Sequence, residues 1–238
     1  MSFLKYLIPA SFLALLPTLS FAGSHGSNLD PGDAVGISFW IISISMVAAT
    51  VFFLMESLRV KGKWRTSLVV GALVTLVAGV HYFYMREIWA ATGESPTVFR
   101  YVDWIITVPL QMIEFYLILA ACTAVAGGVF WRLFLGSLVM LIGGYLGEAG
   151  FINATIGFVV GMAGWIFILY EIFAGEASKI SAESAPESVQ SAFNTMKWIV
   201  TIGWAIYPIG YFMGYMAGGA DANSLNSVSY THLTLPTT

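Results

Sequence analysis

The sequence predicts an all-α fold, a polytopic bundle of helices that crosses a membrane several times. Three observations predict it. Hydrophobic residues fill 58% of the 238 positions and charged residues 10%, where a soluble domain carries about 25% charged residues. Mean hydropathy is +0.81. Six apolar runs, each long enough to span a bilayer, alternate with short polar stretches. Lipid offers no partner for open backbone groups, so runs of this kind are read as helices.

In chain order, residues 1–22 read as a signal peptide. Lys5 gives a basic start, "YLIPASFLALLPTL" a short apolar stretch broken by proline, and Ser20-Phe21-Ala22 a cleavage site, with cleavage expected after Ala22. A permanent anchor helix is the alternative for this segment. Residues 23–217 form the expected bundle, with spans at about 34–58, 66–89, 98–123, 129–147, 152–173 and 190–216. Between the last two spans, "AGEASKISAESAPESVQSA" is polar and reads as a mobile loop. Residues 218–238, ending "SVSYTHLTLPTT" with Pro236 inside, read as a polar tail that does not span.

Lysine and arginine set the expected orientation. Arg59, Lys61, Lys63, Arg65, Arg132, Lys179 and Lys197 fall on one side if the spans alternate, and Arg86 and Arg100 on the other. The richer side is expected in the cytoplasm, with the mature N-terminus outside. The signal peptide predicts the same independently. A net charge of -3 gives no ground for a nucleic-acid partner. The single cysteine, Cys122, excludes an internal disulfide and a multi-cysteine metal site. Nothing in the sequence resembles a nucleophile–base pair or a metal cluster, so an enzyme is not expected.

The chemistry concentrates in "RYVDWIITVPLQMIEFYLILA", residues 100–120, where Asp103 and Glu114 lie well inside an apolar run. A charge at bilayer depth costs at least about 2.5 kcal/mol, so an acid there is a functional candidate by default. Hydrogen bonds to neighbouring helices are the plainer alternative. The two acids are eleven residues apart, about three turns, which puts both on one face roughly 16 Å apart along the axis. Arg100 sits one turn before Asp103 and Thr107 one turn after it. Pro109 removes one backbone bond between the acids and is expected to bend the helix. The order is that of a proton wire with a gap. Arg100 favours an ionised Asp103 as resting acceptor, and Glu114, with no cation in its helix neighbourhood, is the better resting donor.

Three further positions carry open readings. His81, in the second span, either makes an interhelical hydrogen bond or modulates Asp103. Glu148, near the end of the fourth span, reads as a solvated loop position. In the sixth, Pro208 is expected to kink the helix, and Trp204 and Tyr207 either pack or box an apolar ligand.

The stretch 100–120, with "GVHYFYMR" before it and "SAFNTMKWIVTIGWAIYPIGYF" after it, resembles the proteorhodopsins, bacterial light-driven proton pumps of the microbial rhodopsin family. The similarity covers about residues 23–226. It implies a seven-helix retinal protein in the bacterial cytoplasmic membrane, with all-trans retinal, protons and the lipid bilayer as partners and a homo-oligomer left open. It makes Asp103 the proton acceptor and Schiff-base counterion, Glu114 the cytoplasmic donor, His81 the partner of Asp103 and Arg100 the extracellular-side cation. Trp104, Trp165, Trp204, Tyr207 and Pro208 match retinal-pocket positions, with Thr107 beside them. Gln111 matches the position where family members carry Leu for green and Gln for blue absorption, which implies the blue type.

One departure bears on the cofactor. The family binds retinal through a lysine on its seventh helix, and here the seventh helix is missing: the lysines are Lys5, Lys61, Lys63, Lys179 and Lys197, none expected near the middle of a span. The expectation is six of the seven helices, a polar ending of unrelated origin, and a chain that forms no covalent pigment. A photosensory receptor on the same scaffold is one alternative, weakened by Glu114, since a sensor has no need of rapid reprotonation. A retinal-free six-helix membrane protein is the other.

Overall fold

The computed structural model describes residues 32–92 and 97–216. Within them the chain forms helices α1 (Ala34–Ser57), α2 (Lys63–Thr92), α3 (Thr97–Ala120), α4 (Gly127–Glu148), α5 (Ala154–Phe173), α6 (Glu176–Ser184), α7 (Glu187–Trp198) and α8 (Trp204–Tyr211). Two π-helical segments, Ile199–Gly203 and Phe212–Met216, flank α8 and continue its line. Six stretches among the described residues are long and apolar enough to cross a membrane, the fifth being Ala154–Ser184 and the sixth Glu187–Met216. The expected signal peptide and polar tail lie outside the described residues.

Local chemistry sets the helix ends. Asp33 opens α1 by accepting from the Gly36 N–H at 2.8 Å. Asn153 does the same for α5, accepting from Thr155 N–H at 2.9 Å, so each fills a donor that the first turn leaves open. Gly62 and Gly150 take left-handed φ of 63° and 77° in the turns between α1 and α2 and between α4 and α5, where a side chain would be strained.

α1 packs on α2, α2 on α3, α3 on α4 and α4 on α5. The α4–α5 contact is close: a methyl group at Gly157 would sit 2.6 Å from Gly147 Cα. Small residues that let backbones approach are the usual basis of helix association in lipid, where burial of apolar area gives no drive. Large apolar side chains such as Ile41, Phe52, Val159, Ile166 and Ile202 point outward, as a lipid-facing surface requires. The alternation of helices puts Arg59, Lys61, Lys63, Arg65, Arg132, Lys179 and Lys197 at one end, here the basic end.

The connection expected to be a mobile loop is instead helical, as α6 and the start of α7. Its polar composition conceals a regular stripe. Ala177, Ser181, Ala185, Val189 and Phe193, each four residues after the last, are all buried. Ala177 and Ser181 share a face of α6 and Val189 and Phe193 a face of α7, with Ala185 in the extended link between the helices, and these faces are seated on the basic end of α3 and α5. Its first three residues, Ala177, Ser181 and Ala185, are small, so hydropathy alone does not register it.

Candidate functional site

Asp103, Thr107 and Glu114 do share one face of α3, and Asp103 and Thr107 are buried there with Arg100. Both acids line a cavity of about 350 Å³. Its walls include Trp104, Trp165, Trp204, Tyr207 and Pro208, together with Thr107, Gln111 and Met112. Trp104 and Tyr207 meet edge to face at 4.7 Å between ring centroids. Trp165 is fixed by its indole N–H, which donates to the Val200 carbonyl at 3.2 Å. Val200 belongs to the first π segment, and π turns of this kind recur at functional sites. Pro208, inside α8, has no N–H to give the turn before it. The expected kink thus coincides with a change of helix type on each side of α8.

Asp103 is 1% exposed, and its Oδ1 has no hydrogen-bond partner among the described residues. The nearest ring nitrogen, His81 Nδ1, is 3.9 Å away, too far for a hydrogen bond. His81 Nδ1 lies 2.9 Å from the Val77 carbonyl one turn back on its own helix. Of the two readings of His81, an interhelical hydrogen bond is replaced by an intrahelical one, and proximity to Asp103 remains. The Thr107 hydroxyl donates to the backbone carbonyl of Asp103 at 3.0 Å, not to its carboxylate.

Glu114 has a different shell. Ser67 on α2 donates to Glu114 Oε2 at 2.5 Å. The other oxygen, Oε1, is buried without a partner among the described residues. Ser67 was not legible in the sequence, because one serine in an apolar helix gives no sign of which way it points. Among the described residues, both carboxylates keep one oxygen uncommitted.

Glu148 overturns an expectation. It is not a solvated loop position: its side chain is 5% exposed and ion-paired with Arg100 Nη2. Thr97 donates to the same carboxylate oxygen at 3.1 Å, and so does the Tyr215 hydroxyl at 3.0 Å. The physical reason is that Glu148 closes α4 beside the first turn of α3, where Arg100 is 2% exposed and in need of a counter-charge. A helix-terminal glutamate next to glycines looks like a loop residue in sequence, and only the partner identifies it.

The lysines stay remote. Lys61 precedes α2, Lys63 opens it and Lys179 lies on α6. Lys197, in the last turn of α7, places Nζ 4.9 Å from the centre of the Phe173 ring. None of the four lines the cavity.

Membrane-crossing helices around an aromatic cavity with an acid toward each end define a multi-pass membrane protein of the microbial rhodopsin type. A family model described as bacteriorhodopsin-like protein matches residues 33–235, and the chain belongs to that family. It is 51% identical, over 226 residues, to the green-light absorbing proteorhodopsin of Gamma-proteobacterium EBAC31A08, covering 94% of this chain and 89% of that one. To the blue-light absorbing proteorhodopsin of Gamma-proteobacterium Hot 75m4 it is 52% identical over 211 residues, covering 88% and 83%. The crystal structure of blue light-absorbing proteorhodopsin from Med12 superposes with a TM-score of 0.70 at 51% identity, covering 85% of this chain and 94% of that one.

Proposed function

We propose that the chain carries the retinal cavity and proton path of a light-driven outward proton pump, with Asp103 as acceptor, Glu114 as donor and the basic end in the bacterial cytoplasm, and that it forms no covalent pigment and does not pump with retinal alone. One observation carries this reading: a single aromatic cavity touches both acids, and each keeps a buried oxygen with no hydrogen-bond partner among the described residues. Uncommitted acids in a low-dielectric site are costly, and such cost is tolerated where protons move. Relatives over 50% identical are named for absorbing light, which supports retinal as the ligand.

The cavity suits a ring and a polyene. Trp104, Trp165, Trp204 and Tyr207 would hold the hydrocarbon, and Gln111 would set colour toward the blue type. Bound as the aldehyde, retinal would supply only a light-driven change of shape; condensed with an amine, its polar end would also carry a proton whose affinity changes in light. The protein's part is to receive and replace protons. Asp103 takes a proton toward the Arg100–Glu148 end, His81 stands beside it, and Glu114, steadied by Ser67, supplies one from the basic end. The described residues do not fit a covalent attachment, because none of their lysines lines the cavity. The proposal therefore includes that these 238 residues hold retinal by contact alone.

Vesicles carrying the chain test the proton path. With retinal alone, light is expected to leave the external pH unchanged. With retinal already condensed with a small alkylamine, light is expected to acidify the outside, and Asp103→Asn to abolish this. Acidification at an unaltered rate in Asp103→Asn would overturn the acceptor role, and no acidification under any condition would overturn the pump reading.

A further inference from the structure

Glu171, in the last turns of α5, is a buried acid outside the cavity, and the proton path does not use it. It is 2% exposed. Arg132 on α4 meets it with two donors, Nε to Oε2 at 2.8 Å and Nη2 to Oε1 at 3.1 Å. The backbone N–H of Ala177, in the first turn of α6, donates to Oε1 at 3.0 Å. Arg132 Nη2 also reaches Glu176 Oε2, at 2.6 Å. One guanidinium and one carboxylate therefore join α4, the end of α5 and the start of α6.

What α6 covers gives the cluster its meaning. The buried stripe of α6 and α7 packs on Phe115, Ile118 and Leu119 of α3, and Phe193 meets Phe115 edge to face at 5.1 Å. These α3 residues follow Glu114 toward the basic end, so the stripe lies nearer that surface than Glu114 does. Glu171 is buried although Arg132 is a third exposed, so loss of Arg132 strands the carboxylate's charge, a costly change. α6 therefore cannot lift while Glu171 stays matched to both Arg132 and the Ala177 N–H.

We propose that Arg132, Glu171 and Glu176 form a clasp that holds α6 and α7 shut over Glu114 and so governs proton entry from the basic end. They are positioning residues and touch neither the cavity nor retinal. The proposal rests on the reading of Glu114 as the station nearest that end. A bidentate clasp, rather than a simple charge contact, is what the geometry requires.

The chain carries its own reporter. Cys122, just after α3, is partly buried and packs against the same cluster. The experiment measures two rates in vesicles, in the dark and without retinal: maleimide labelling of Cys122, and deuterium exchange of the Glu114 carboxyl followed in the infrared, its band assigned with Glu114→Gln. The double variant Arg132→Gln/Glu171→Gln removes both charges and leaves none stranded, so it keeps the fold where a single change fails. Both rates are expected to rise by about tenfold, since the charge-assisted hydrogen bonds from Arg132 to Glu171 and Glu176 give way to weaker ones. Glu176→Gln, at the exposed arm of the cluster, is expected to give a smaller rise, and Arg132→Lys to recover only part of the closure. Unchanged rates in the double variant would overturn the clasp. Faster labelling of Cys122 with unchanged exchange at Glu114 would overturn the seal. Light-driven transport unaffected by Glu114→Gln would remove the donor role alone, and the dark rates would still decide the clasp.

Discussion

The two ends of the bundle treat buried acids differently from its middle. At the ends, Glu148 and Glu171 are each matched to an arginine and to further donors. In the middle, Asp103 and Glu114 each keep an oxygen without a hydrogen bond among the described residues. A matched acid fixes helices against one another. On the proton path proposed above, an unmatched one in the same low dielectric is left free to exchange its proton. The same residue type serves structure or chemistry according to whether the surroundings complete its shell.

Mutation separates the two classes by the sign of the stability change. Arg100→Gln leaves Glu148 buried without its guanidinium and is expected to lower unfolding stability in detergent by about 3–5 kcal/mol. Asp103→Asn removes an incompletely matched charge and is expected to leave stability level or raise it by about 0.5–2 kcal/mol. Equal losses in both variants would erase the distinction between ends and middle.

Packing effects come next. Gly157→Ala places a methyl group 2.6 Å from Gly147 Cα and is expected to cost about 1–3 kcal/mol by forcing α4 and α5 apart. Thermal unfolding measures it, and a neutral result would show that the α4–α5 contact yields more readily than its geometry implies. The smallest change belongs to Thr50→Ala, which removes the 2.8 Å hydroxyl contact with Thr75 between α1 and α2. Hydrogen bonds between membrane helices average about 0.6 kcal/mol, and a loss of that size in the same unfolding assay is expected. A loss as large as that of Arg100→Gln would mean that polar contacts of every kind, not charge matching, organise the bundle.

Much of this was legible in the sequence, for physical reasons. Long apolar runs in lipid leave the backbone little choice but helix, so the six spans stand within a few residues of where hydropathy puts them, except that the fifth runs on to Ser184. An eleven-residue interval returns to the same helix face, so Asp103 and Glu114 share a cavity as their spacing predicts. The aromatic residues Trp104, Trp165, Trp204 and Tyr207 do gather around it. Partners across helices were not legible. Ser67, Glu148 and Tyr215 are ordinary polar residues until another helix brings their partners within reach. Helix α6 escaped for another reason: its buried face is built from Ala177 and Ser181, whose small side chains bury well but give hydropathy little to register.

The measurement nearest the central claim, a retinal cavity without a covalent bond, uses the purified 238-residue chain and all-trans retinal. Trp104, Trp165 and Trp204 line the cavity, so tryptophan fluorescence reports its filling. The chain is then treated with borohydride and weighed intact. The account predicts saturable quenching at one retinal per chain, weakened when Trp165 or Trp204 is replaced by phenylalanine, and an unmodified mass. A retinyl adduct, above all one on Lys197, or quenching that never saturates, would contradict it.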